Sequence, residues 1–403
     1  MCASTIQLVT EPPAHHFFGY YDKSPWDRSE QYLLTHAVDF ADRVPATDDE
    51  ARICLVDTET AKTTVVDTTT AWNFQQGSML QWVGPDYEQR ILYNDREDGA
   101  LVTRIRDIYS GESWTVSTPI YAPAPDGCTG FTLNFDRLHQ TRQGYGYATS
   151  NENTVAPAPD DDGVYRVDME TGEQELLISL KDLTEIDPLD HMANVTHWVN
   201  HLQVSPNGDH VAFLHRWWTD PERTWHGARG RIDTDRTWHD RLYTMDVDGR
   251  NLNCLVSGGA GHYDWRTETK ILADTLPEPG GERRFRWYDV DTGRVEPALP
   301  PGIRGHNSFS PDGRWILYDR TVETDDEQHL VLRNVSADPE ADEYVDLGSV
   351  PMPAVENEDL RCDLHPRWDR SGRQVCFDSL HTGMRQMYVI NVSEYVQPTY
   401  RKS

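Results

Sequence analysis

Apolar and polar residues alternate with a period of two along most of this chain, in short runs that stop at Asp, Gly or Pro. One such run recurs seven times and passes into an acidic or glycine turn: ICLVDTETAK from Ile53, IRDIYSGES from Ile105, VYRVDMETGE from Val164, LYTMDVDGRN from Leu242, RWYDVDTGR from Arg286, LVLRNVSAD from Leu330 and MYVINVS from Met387. A strand–turn–strand unit precedes most of them: YDKSPWDRSEQYLL from Tyr21, MLQWVGPDYEQRILYND from Met79, LQVSPNGDHVAFLH from Leu202, YDWRTETKILA from Tyr263, SFSPDGRWILYD from Ser308 and PRWDRSGRQVCFDS from Pro366. SPDG supplies a type I turn, with Pro setting φ and Gly taking the positive-φ exit. The third copy, around GFTLNFDRLHQTRQGYGYATS from Gly130, is the most divergent.

Repetition of this unit predicts an all-β, seven-bladed β-propeller of four-stranded blades, with the innermost strand of each blade written first and residues 1–403 forming one domain. The Pro- and Asp-rich stretches Pro119–Gly127 and Ala156–Gly163 read as solvated loops. The Arg- and Trp-rich insertion Trp218–Asp240 is too polar for a core and reads as a lid over one face.

Composition narrows this picture. Hydrophobic residues make up only 37% of the 403, yet there are 13 Trp and 18 Tyr, which fits short strands packed through large aromatics. The formal charge of −30, carried with few lysines (Lys23, Lys62, Lys181, Lys270 and Lys402), suits a salt-rich cytoplasm and removes the basic footprint that nucleic acid or an anionic membrane requires. No apolar run reaches the ~18 residues of a membrane span. MCASTIQLVTEPP lacks the parts of a signal peptide. The six cysteines are scattered without a disulfide framework, so a cytoplasmic protein with reduced thiols is expected, and a closed propeller is expected to be a monomer.

In a propeller, equivalent positions of successive blades surround one axis. The positions leading into the inner strands here are His16 with Tyr20 and Tyr21, then Gln75 and Gln76, Asn134 or a neighbour, His197 and His201, His262, His306, and His365. GHYDW, GHNSFSPDG and RCDLHPRW place His262, His306, Cys362 and His365 on the last three blades. Imidazole and thiolate together suit a divalent metal, zinc first, with manganese or calcium as alternatives. In the fourth blade His201 opens a hairpin that Arg216 closes, pairing a base with an anion clamp. A tyrosine of HHFFGYYDKSPWD, Tyr20 or Tyr21, has the chemistry of a proton donor.

The segments HHFFGYYDKSPWD, WNFQQGSMLQW, HWVNHLQVSPNG with FLHRW, GHNSFSPDGRWILYD, and RCDLHPRW with FDSLHTGMRQMYVI resemble the propeller polysaccharide lyases grouped as oligogalacturonate lyases and ulvan lyases. The resemblance spans nearly the whole chain. It implies an anionic oligosaccharide substrate, cut beside a uronic acid by β-elimination. It implies Arg216 as the carboxylate clamp, His201 as the base, and Tyr20, Tyr21 or His16 as the acid. Oligogalacturonate lyases hold a catalytic manganese with His and Gln, and ulvan lyases a structural zinc with His and Cys; the set His262, His306, Cys362 and His365 resembles the second. A non-catalytic propeller that binds glycans or proteins, and a metal-dependent hydrolase, are the competing functions.

Overall fold

The computed structural model describes residues 6–149, 155–218, 238–276, 281–322, 327–352, 355 and 357–396. Most of the insertion read as a lid, 219–237, lies outside them. The chain folds into seven four-stranded antiparallel sheets. Their first strands are His15–Phe17, Gln81–Trp82, Ala122–Pro123, His197–Val204, Ala260–Trp265, Asn307–Phe309 and Arg367–Trp368. First strands of blades three and four, five and six, and six and seven lie against one another, as strands that line the axis of the ring do. The third strand of each blade is the recurrent run seen in the sequence, from Ala51–Asp57 in blade one to Gln386–Asn391 in blade seven.

The acidic residue that ends those runs has a local task. Asp57 accepts from the backbone N–H of Glu59 and Thr60, Asp107 from Tyr109 and Ser110, and Asp168 from Glu170 and Thr171. Each carboxylate thereby satisfies amides that the turn into the fourth strand leaves unpaired. The core lies between successive sheets, where Trp26, Trp72, Trp82, Trp198 and Trp217 are fully buried. The five described cysteines are all free, and among the described residues no helix is long and apolar enough to cross a membrane.

Blade seven is completed by the chain's beginning. Ile6–Leu8 pairs antiparallel with Gln386–Asn391, Ile6 opposite Ile390 and Leu8 opposite Tyr388, and so closes the ring.

Two local expectations change. Pro119–Gly127 is not a solvated loop: it contains the inner strand of blade three, and Ile120 and Tyr121 are wholly buried. GFTLNF is then that blade's second strand, Thr129–Thr132, running into a helix, Phe135–Thr141, that Asn134 caps. In blade one the inner strand is His15–Phe17. Residues 18–25 leave it and cross toward the axis before Trp26 rejoins the sheet opposite Leu33.

Candidate functional site

The inner strands are irregular where their polar side chains matter. In blade four, Asn200 pairs with Leu214 and Gln203 with Ala212, so His201 and Leu202 together face Phe213 across a bulge, and His201 has φ +54°. In blade five, Ala260 pairs with Thr275 and Tyr263 with Ala273, which sets Gly261 and His262 opposite Asp274. Gly305 and His306 repeat the arrangement at the start of blade six, where a Cβ on Gly305 would meet the Asp319 carbonyl. His365 in blade seven has φ +42°. Bulges and positive-φ residues re-aim a side chain; four blades use them to turn imidazoles toward one place. The His262 and His306 ring centroids are 4.1 Å apart, and those of His306 and His365 4.3 Å.

The segment from blade one meets these rings at the axis. Tyr20 stacks on His201 at 4.9 Å and meets His365 edge-on at 4.7 Å. The Tyr21 hydroxyl donates to the Tyr263 carbonyl (2.9 Å) and accepts from the Tyr263 N–H (3.0 Å), so it is committed to blade five. Lys23 and Asp22 form a buried ion pair at 2.8 Å. Blade seven grips the segment from the other side. Arg367 donates to the carbonyls of Gly19 and Tyr20 and pairs with Asp378, which also accepts from the Phe18 N–H.

Ligand atoms of His306, Asp363 and His365 lie within 4.8 Å of one another, all from buried side chains. His306 Nδ1 faces Asp319 at 2.9 Å and His365 Nδ1 faces the Gly19 carbonyl at 2.8 Å; each acceptor fixes Nδ1–H and turns Nε2 inward. Both Nε2 atoms, and His262 Nδ1, are buried with no hydrogen-bond partner. A carboxylate or carbonyl that holds Nδ1–H and leaves the far nitrogen of the imidazole unused is the outer shell that metal sites employ. Burial would raise the carboxyl of Asp363, but Arg361, bonded to it at 2.7 Å, holds it below its ordinary value and hence ionised. The donor set of two nitrogens and one oxygen fits a divalent cation.

On the other side of Tyr20 stands His201. Its N–H donates to the Tyr121 hydroxyl (3.1 Å) and its carbonyl accepts from Tyr263. The Gln76 carboxamide lies 2.7 Å from the same Tyr121 hydroxyl and 3.5 Å from His201 Nδ1. Burial, then the charges of Arg216 and Arg142, push the His201 imidazole well below its ordinary pKa, so it is neutral. Burial, then Tyr145 and Tyr21, push the Tyr20 phenol well above its own, so it keeps its proton. Arg216 is buried; desolvation and then Arg142 lower it to about 10, which leaves it a cation at neutral pH.

No family model matches the sequence, and no curated protein matches it. Solved structures do. A structure described as oligogalacturonate lyase in complex with manganese superposes with a TM-score of 0.67 at 16% identity, covering 96% of this chain and 93% of that one. Oligogalacturonate lyase from Vibrio parahaemolyticus gives 0.65 at 15% identity, covering 98% and 95%. The chain has the fold of the oligogalacturonate lyases. A prolyl endopeptidase structure, at a TM-score of 0.51 and 11% identity, is matched over 50% of its length and shares only the propeller.

Against that frame of blades, the residues singled out in the sequence divide. His201, His262, His306, His365, Tyr20 and Tyr21 come together, and Arg216 reaches His201 electrostatically from opposite Trp198 rather than from the directly facing position. His16 stands apart in its strand; burial, then Arg52 and His15, lower it to about 4, and none of the clustered rings acts on it. His197 is turned to His215 and the Met192 carbonyl, and Gln75 to the carbonyls of Asp359 and Arg361. Asn134 is a helix cap bonded to Asp162.

The Cys362 sulfur is not among the converging atoms. Residues 361–366 form no turn that would pair Cys362 with His365; the ligand atoms of Asp363 and His365 converge instead, with His365 at positive φ, and Leu364 joins the core. Three contributors escaped the sequence reading: Asp363, and Arg142 with Tyr145 from the helical excursion of blade three. Arg142 lies 3.7 Å over the Tyr145 ring, which meets His201 edge-on at 5.5 Å. The signal for Asp363 was present in the spacing D-x-H; nothing local marked the other two.

Proposed function

We propose that this chain is a lyase that cleaves uronic-acid-containing oligosaccharides by β-elimination and takes a divalent cation at His306, Asp363 and His365, with His262 beside them. One observation carries the reading. Partnerless buried imidazole nitrogens and an ionised carboxylate converge within one ring contact of a neutral histidine, a protonated tyrosine and a buried arginine. The fold it shares with proteins described as oligogalacturonate lyases, one of them in complex with manganese, supports the same reaction class.

A uronate is cleaved this way once its carboxylate charge is countered, because C5–H then becomes acidic. Arg216 supplies a fixed cation for that carboxylate. A divalent ion held by His306, Asp363 and His365 would withdraw further charge from the same group. His201 takes the C5 proton. The electron pair forms C4=C5, the C4–O4 bond breaks, and Tyr20 returns a proton to O4. No water is consumed. Burial holds His201 unprotonated and Tyr20 protonated, and opposite displacement of two neighbouring groups is the mark of an acid–base pair. Tyr21, with its hydroxyl engaged on both sides, positions Tyr20 instead. With Cys362 outside the cluster, and its thiol kept protonated by burial, the donor set gives no preference for zinc over manganese.

The assay is direct. Galacturonate, glucuronate and iduronate oligomers, incubated with the protein and Mn²⁺, Zn²⁺ or Ca²⁺, gain near-ultraviolet absorbance as 4,5-unsaturated ends form. His201→Ala and Tyr20→Phe each reduce that rate by about 10²–10⁴-fold, the range for loss of a general acid or base. Products one water heavier than expected would make the protein a hydrolase. Retained oligomer binding with no product of either kind would make it a glycan-binding propeller.

A further inference from the structure

We propose that Gln76, working with Tyr121, fixes the proton of His201 on Nδ1 and so leaves Nε2 as the atom that accepts the substrate proton. The proposal rests on the reading of His201 as the base.

Gln76 is a rigid part. It sits in the tight turn bridged by Asn73 and Gly77, its N–H donates to Asn73 Oδ1 at 2.8 Å, and Gly19 packs so closely on its carbonyl that a Cβ there would lie 2.8 Å away. The carboxamide atom that meets both the Tyr121 hydroxyl (2.7 Å) and His201 Nδ1 (3.5 Å) is placed as Nε2, a position that the oxygen takes when the amide flips. The other terminal atom is buried without a partner. The Tyr121 oxygen already accepts from the His201 N–H, so its own proton requires an acceptor.

Were the shared atom the amide nitrogen, it would donate to the phenol and to Nδ1. The Tyr121 proton would then have no acceptor among the described residues, and His201 would carry its proton on Nε2, where it cannot act as a base. With the oxygen in that place, one acceptor receives Tyr121 O–H and His201 Nδ1–H together, and the lone pair moves to Nε2. The orientation of a carboxamide follows from the network around it. Here the phenol decides it. The amide N–H groups then lie on the far side, available to a bound anion. Gln76 and Tyr121 are thus positioning residues. They touch neither the bond that breaks nor the proton that moves, but set which imidazole nitrogen is basic.

The tautomer can be observed without turnover. Histidine ¹⁵N-labelled protein in a diamagnetic divalent salt is examined by long-range ¹H–¹⁵N correlation, with the His201 signals identified by their loss in His201→Gln. The expected wild-type pattern is a neutral ring protonated on Nδ1. Gln76→Met, nearly isosteric and without an acceptor, shifts the ring toward the Nε2–H or averaged pattern and lowers kcat at least tenfold, with KM changed less than about twofold. Gln76→Glu, which keeps an acceptor, restores the Nδ1–H pattern. Should Gln76→Met not fold, Tyr121→Phe carries the same comparison. A wild-type His201 protonated on Nε2, or an Nδ1–H pattern untouched by Gln76→Met, overturns the proposal even where uronate oligomers are cleaved. An Nδ1–H pattern in a protein that cleaves none of them leaves this inference standing and removes the lyase reading instead.

Discussion

At the scale of residues, the cluster at the axis is defined by which side chains alternate onto its side. Cys362 and His365 look paired in the sequence only if a turn joins them; no turn forms there, and Asp363 converges with His365 instead. The consequence is measurable by metal analysis of purified protein. Cys362→Ser retains the divalent ion at wild-type stoichiometry, whereas Asp363→Asn or His306→Ala loses it. Asp319→Asn, which removes the carboxylate that holds the backbone N–H and Nδ1 of His306, weakens binding by about 10–100-fold. Loss of metal from Cys362→Ser with retention in Asp363→Asn would reverse the assignment of the third ligand. The glycine–histidine pairs of blades five and six were legible because a repeated motif marks equivalent positions. Arg142 and Tyr145 were not, since no periodicity announces a residue delivered by an excursion outside the repeat.

At the scale of elements, the third strands and their Asp turns were plain in the sequence because alternation and turn chemistry reinforce each other there. The inner strand of blade three was not. Ala122–Pro123 is two residues long within a Pro-rich stretch, too short to show a period, and only burial of Tyr121 on the axis reveals it. The same limit hid the crossing segment 18–25, whose aromatic run reads equally well as a strand. That segment depends on Arg367, which donates to its Gly19 and Tyr20 carbonyls and neutralises Asp378. Arg367→Met leaves Asp378 buried and uncompensated. Breaking a buried pair from one side costs about 3–5 kcal/mol, so urea unfolding should show a stability loss of that size. A loss below about 1 kcal/mol would mean that the segment holds itself in place.

At the scale of the whole molecule, −30 formal charges surround an interior holding neutral histidines. His16, His36 and His197 are each lowered by burial to about 4. Their folded pKa values lie below the unfolded value of 6.5. Stability is therefore full above pH 6.5, falls as the unfolded chain takes up protons, and has lost these contributions once pH passes below about 4. Each group contributes up to about 3 kcal/mol across that window. Urea midpoints should fall between pH 7.5 and 5, and the fall should shrink in His36→Gln; a flat profile would show that these rings protonate in place. The closure of the ring has a consequence in time. His365 and Gly19, whose hydrogen bond orients an imidazole of the central cluster, are 346 residues apart, and Ile6 waits for Ile390 before it has a strand to join. A ribosome that has delivered six blades has delivered no site. Long-range closure of this kind is slow and exposes unpaired edges meanwhile; the ring and the cluster at its axis are completed together, late.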